Sequence, residues 1–154
     1  MTDTLHRWDP AQYLKFSGPR LQPALDLLAR IPSEAPKTVY DLGYGTGSLT
    51  RMLAERWPAA RIAGIDGSAA MLDQARREAN GRNLSWIEAD IRRWRADAPA
   101  DVIYSNAALH WLDDHTTLFP HILMQLALGG VLAVQMPRNF AAPSHTCLAA
   151  TIES

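Results

Sequence analysis

A chain of 154 residues that is 47% hydrophobic holds enough apolar material for one compact domain with its own core, and a second domain would be cramped. Its 15 basic and 16 acidic residues leave a net charge of -1 with no long run of either sign, which removes the electrostatic case for a nucleic-acid or membrane partner and favours small molecules. A single cysteine, Cys147, excludes an intrachain disulfide, the opening MTDTLHRWDP lacks a signal-peptide layout, and no apolar run approaches the roughly 20 residues of a membrane helix, so the expected location is the cytoplasm.

Between Pro19 and Ile31 the residues Leu21, Ala24, Leu25, Leu28 and Ile31 recur at spacings of three and four, which predicts a first helix. The segment Pro32-Ser33-Glu34-Ala35-Pro36 is the nearest thing to a linker, and it divides an N-terminal part, 1–36, from the rest, 37–154. Thr38 to Leu42 then reads as a buried strand, and Leu49, Met52, Leu53 and Trp57 follow at helical spacing. The alternation repeats: Arg61 to Ile65 as strand, Ser68 as the cap of a helix through Ala79, and Leu84 to Glu88 as strand. Asp101 to Ser105 is a fourth strand, Thr117 to Leu128 a helix, and Gly130 to Met136 a fifth strand stopped by Pro137. Five strands alternating with helices imply a doubly wound α/β fold with a mostly parallel sheet, because each parallel connection needs a crossover. Ligands of such sheets bind beyond the carboxyl ends of the strands, where the strand order reverses.

Those ends carry the informative residues. The first strand runs into Gly43-Tyr44-Gly45-Thr46-Gly47, a turn whose missing Cβ atoms let backbone approach a ligand and whose following helix offers unpaired N–H groups. A tight turn with close strand–helix packing is the alternative explanation of the same glycines. A dinucleotide fingerprint would place glycine at Ser48, so a pyrophosphate is disfavoured. The second strand ends at Asp66, about 20 residues beyond the turn, where an acid can accept from both hydroxyls of a ribose. The third ends near Asp90 and Ile91, and the fourth enters Ser105-Asn106-Ala107-Ala108-Leu109-His110-Trp111-Leu112. Trp111 is expected to pack rather than touch a ligand. His115 and His121 lack the spacing that puts two metal ligands on one helical face, so no metal site is expected.

The pattern Asp41-x-Gly43-x-Gly45-x-Gly47 resembles the first motif of class I S-adenosylmethionine-dependent methyltransferases. Longer stretches resemble the trans-aconitate methyltransferase family within that class: Trp8-Asp9-Pro10-Ala11-Gln12-Tyr13-Leu14, Arg56-Trp57-Pro58-Ala59-Ala60-Arg61-Ile62, Glu88-Ala89-Asp90-Ile91-Arg92 and Val131-Leu132-Ala133-Val134-Gln135-Met136-Pro137. The resemblance implies a Rossmann-like core, S-adenosyl-L-methionine as cofactor, S-adenosyl-L-homocysteine as product, and a small-molecule carboxylic acid as substrate. It implies cofactor contacts from Asp41, Gly43, Gly45, Gly47, Asp66, Asp90, Ile91 and Asn106. Asp90 would accept from the adenine amino group, with the Ile91 backbone beside the ring. Substrate contacts would come from Trp8 and Tyr13 in an N-terminal lid and from Arg20, His110 and Arg138. Tyr44 and Thr46 depart from the family's usual cysteine and proline. Family members extend past residue 154, so the chain is expected to match their N-terminal part and to lack the C-terminal strands.

A carboxylate acceptor is already ionised near neutral pH, so methyl transfer to it requires alignment and no obligatory acid–base residue. Three other readings stay open: a non-catalytic cofactor-binding fragment, an NAD-dependent oxidoreductase on the same fold, and a methyltransferase with another acceptor.

Overall fold

The computed structural model describes residues 21–78, 81 and 83–138. Its elements run α1 (Gln22–Ala29), β1 (Thr38–Leu42), α2 (Ser48–Arg56), β2 (Arg61–Asp66), α3 (Ala69–Arg77), β3 (Leu84–Glu88), β4 (Ala100–Asn106), a 3-10 turn (Leu109–Trp111), α4 (His115–Leu123) and β5 (Leu126–Gln135). The five strands form one parallel sheet in the order β3-β2-β1-β4-β5. The chain works outward from β1 to β3, then returns to the other side of β1 as β4. That reversal puts the topological switch point between β1 and β4, the place where ligands of such sheets bind.

Strand alternation sorts the core into two layers. Val39, Ile62, Val102 and Tyr104 face Leu28, Ile31, Leu53 and Trp57 on one side of the sheet. Their neighbours Tyr40, Leu42, Ala63, Ile65 and Ile103 face Trp94, Leu118 and Ile122 on the other. Because β1 is covered on both faces, four of its five residues are buried, the carboxylate of Asp41 among them. Helix α1 and the segment after it are fastened to this core: the Tyr104 hydroxyl donates to the Ala24 carbonyl at 3.0 Å, and the Trp57 indole donates to the Ser33 carbonyl at 3.1 Å. At the opposite edge from the strands' carboxyl ends, Asp97 accepts from Arg61 twice and from the Tyr40 hydroxyl, and these bonds hold its carboxyl down at about 2.

The expected elements are present, with one exchange of type. Leu126 to Leu128, expected to end the last helix, belong to β5. Leu126 pairs with Ala100 and Val131 with Val102, so extra β5 residues bulge out of the ladder between them. Leu128 stands fully exposed in that bulge. The apolar spacing that continues α4 therefore does not reflect one buried face. Pro120 lies inside α4 and offers no N–H to the preceding turn, yet the helix runs on to Leu123. Among the described residues no helix is long and apolar enough to cross a membrane.

Candidate functional site

The glycine loop between β1 and α2 uses three left-handed residues: Gly43 at φ 77, Gly45 at φ 55 and Gly47 at φ 80. They are glycines for different reasons. A Cβ on Gly43 would lie 2.2 Å from the Ala108 Cβ, and one on Gly47 would lie 2.5 Å from the Trp86 ring, so protein atoms occupy both spaces. A Cβ on Gly45 would meet nothing within 4 Å. The close-packing alternative therefore accounts for Gly43 and Gly47, and the loop is open to a ligand at Gly45.

Asp66 braces that open point. Its Oδ2 accepts the Gly45 N–H at 2.9 Å, and its Oδ1 accepts the Ser68 N–H at 3.0 Å. Ser68 in turn caps α3, accepting from the Met71 N–H. One carboxylate thus ties the loop after β1 to the start of the helix after β2, while remaining only partly buried. Asp41 is placed differently. It is 2% exposed, sealed within the fold, and accepts from the Thr50 hydroxyl at 2.7 Å. Burial lifts its carboxyl to about 7, against the pull of the Thr50 bond and with a further push from the Asp66 charge.

A cleft of about 500 Å³ lies along the ends of β2 and β3, lined by Gly67, Glu88, Ala89, Asp90, Ile91, Arg92 and Leu112. It brings Asp90 and Ile91 to the same edge as Asp66. The Asp90 carboxylate is engaged by Arg92, at 2.8 Å from Nη2 and 3.0 Å from Nε, and those bonds hold it below the usual carboxylate range. Tyr44 leans on Trp86 with ring centroids 5.0 Å apart, and burial, then the charge of Asp66, pushes its phenol up to about 12.

On the β4 side the chain leaves Asn106 through Ala107, a non-glycine residue at φ 51, before the 3-10 turn. Such strain persists where surrounding packing demands it. Here Ala108 sits directly against Gly43. The Oδ1 of Asn106 and the Nδ1 of His110 are buried without a hydrogen-bond partner among the described residues. Trp111 is 80% exposed, which overturns the expectation that it packs; its ring lies 4.7 Å from His110 at the rim. Arg138 is exposed just beyond β5. Trp8, Tyr13 and Arg20 lie outside the described residues. His115 and His121 each bond a backbone carbonyl, of Leu109 and Trp94.

Sequence reasoning missed Thr50 and Trp86, and took Ala108 and Leu112 only as part of the segment that leaves the fourth strand. Thr50 had a faint signal, a hydroxyl in the first turn of a helix leaving an acid-tipped strand. Trp86 and Ala108 had none, because their role is to fill space beneath glycines distant in the chain.

A methyltransferase-domain model matches residues 39–130, from β1 into β5. A trans-aconitate 2-methyltransferase of Azoarcus sp. (strain BH72) is 50% identical over 144 residues, covering 94% of this chain and 56% of the relative. One from Klebsiella pneumoniae is 52% identical over 141 residues, covering 92% and 55%. The chain thus spans little more than half the length of the curated relatives it matches. Among solved structures, an S-adenosylmethionine-dependent methyltransferase from Mesorhizobium loti superposes with a TM-score of 0.67 at 29% identity, over 77% of this chain and 54% of that one. With the family model spanning more than half of its residues, and the glycine loop, Asp66 and the β4 edge all inside the match, the chain belongs to the methyltransferase-domain family.

Proposed function

We propose that this chain binds S-adenosylmethionine across the carboxyl ends of β1 to β4 and directs its methyl group to a carboxylate of a small tricarboxylic acid, trans-aconitate, giving a monomethyl ester. The identity of about half of all residues with relatives of that name, over more than nine-tenths of the chain, carries the reading. The site fits such a cofactor on three counts. Gly45 leaves free space, Asp66 presents a partly exposed carboxylate beside it, and Asn106 Oδ1 is a buried acceptor in need of a donor.

In this reading Asp66 holds the ribose hydroxyls, and Asp90 and Ile91 take the adenine in the cleft beneath Leu112. Asp41 supports the loop from below through Thr50. Asn106 takes the polar amino-acid end, while Gly43 and Gly47 keep the loop packed so that Gly45 stays open. When bound, S-adenosylmethionine supplies a methyl group activated by its sulfonium. The protein's part is positioning and exclusion of water, and no residue has to remove a proton from an acceptor that is already a carboxylate. His110 forms a wall of the acceptor side, and Arg138, together with Trp8, Tyr13 and Arg20 from the N-terminal segment, contributes to holding the acid. Arginine suits this because its planar fork pairs with a carboxylate at two points. A cytoplasmic location and a small-molecule partner belong to the same reading.

The test is titration calorimetry with S-adenosylhomocysteine, followed by an assay of methyl ester formation on a panel of small di- and tricarboxylic acids. Tight binding and esterification of trans-aconitate are expected. Binding without turnover of any acid would leave a cofactor-binding module, and preferential binding of NAD would refute the reading.

A further inference from the structure

Asp41 is the only buried carboxylate among the described residues, and no cation among them pairs with it. It lies in β1 between Gly64 of β2 and Tyr104 of β4. Asp66 stands two residues beyond Gly64, on the same face of the sheet by strand alternation. The titratable groups acting on Asp41 are thus Asp66 from β2 and Tyr104 from β4, the latter a phenol kept neutral by its own burial and donating to Ala24. Helix α2 contributes a neutral donor, the Thr50 hydroxyl. Two acids therefore sit at the base of the glycine loop, and no cation among the described residues forms an ion pair with either. A sealed carboxylate is costly, and a positive charge arriving nearby offsets that cost.

We propose that Asp41 is a charge-responsive positioning residue: it gives a proton to solvent when a ligand of net positive charge occupies the site at the strand ends, and takes one back when that ligand becomes neutral. The inference rests on the cofactor reading above. S-adenosylmethionine combines a sulfonium, an ammonium and a carboxylate, and so carries one net positive charge; loss of the methyl group leaves a thioether of no net charge. Asp41 thereby favours the methyl donor over the spent product, and does so more as pH rises to neutrality. Burial already brings its titration to about 7, where a modest field suffices.

Titration calorimetry of the 154-residue chain with each ligand, at pH 6 and pH 8 and in two buffers of unlike ionisation heat, counts the protons released. Near pH 6 the donor is expected to release a substantial fraction of a proton more than the product. Its affinity should strengthen by up to about tenfold per pH unit below neutrality, relative to the product's. Asp41→Asn, which keeps an acceptor for Thr50, should abolish that difference while both ligands still bind. Equal proton release by the two ligands, or a difference that survives in Asp41→Asn, overturns the inference. Should that variant fail to fold, Thr50→Val should move the midpoint of proton release to higher pH, because it removes the bond that favours the charged form; an unmoved midpoint overturns the inference equally. Failure of both ligands to bind at either pH overturns the cofactor reading and this inference with it, an outcome distinct from binding without differential release.

Discussion

Replacing Gly45 and Gly43 separately by alanine distinguishes a glycine kept for a ligand from one kept for the fold. Both occupy the left-handed region, where alanine costs about 1–2 kcal/mol, so that strain is common to the two variants. At Gly45 the new methyl group enters open space, and nothing further is added. For a domain of this length about 1 kcal/mol corresponds to about 3 °C in melting temperature, so Gly45→Ala should melt about 3–6 °C lower. At Gly43 the methyl group would lie 2.2 Å from the Ala108 Cβ, far inside an ordinary carbon–carbon contact of about 3.5–4.0 Å. Alanine has no rotamer to yield, so backbone must move, and overpacking adds about 1–3 kcal/mol to the strain, giving about 6–15 °C in all. Ligand binding should rank the other way. The Gly45 methyl group stands where the cofactor's backbone approach is proposed, and should weaken S-adenosylhomocysteine at least tenfold, or about 1.4 kcal/mol. Urea denaturation and calorimetry on the same preparations give both orderings. A Gly45→Ala protein as destabilised as Gly43→Ala, or one with undiminished affinity, would refute the reasoning.

Asp66→Ala should weaken S-adenosylhomocysteine by about 1–3 kcal/mol if the carboxylate holds the ribose, and unchanged affinity in calorimetry removes Asp66 from the site. For Asp41 the native carboxyl keeps its proton to about 7 while the unfolded one loses it near 4, so between those values the native state binds more protons and stability falls as pH rises. Asp41→Asn should cancel that decline and gain on the order of 2–4 kcal/mol over wild type above pH 7, with no gain below pH 4; urea midpoints that run parallel across this range contradict it. Trp111→Ala should change stability by no more than about 0.5 kcal/mol, as befits a residue 80% exposed, and a fall of several degrees in melting temperature would show that the indole is packed.

The local rules of the chain were readable in advance wherever a residue's reason lay within its own neighbourhood. Strand β1 declared itself by a β-branched and aromatic run, α3 by the serine that caps it, and Asp66 by its distance from the glycine turn. The crossover rule then implied a parallel sheet, while the strand order, with its reversal at β1, came only with the structure. Reasons that reach across the fold were not readable. Three glycines of identical appearance divide into two that yield to Ala108 and Trp86 and one that faces open space, and only the packed structure says which is which. Asp41 and Asp66 are the same residue type at the ends of adjacent strands, yet one is sealed against Thr50 and the other braces an exposed loop. The same holds for Leu126 to Leu128, whose spacing fits a helix until pairing with β4 draws them into a bulged strand. Periodicity is a property of the chain and survives in one dimension. Contact between distant segments, and with it the burial that sets a carboxyl's charge or leaves a loop open, exists only after the sheet has closed around it.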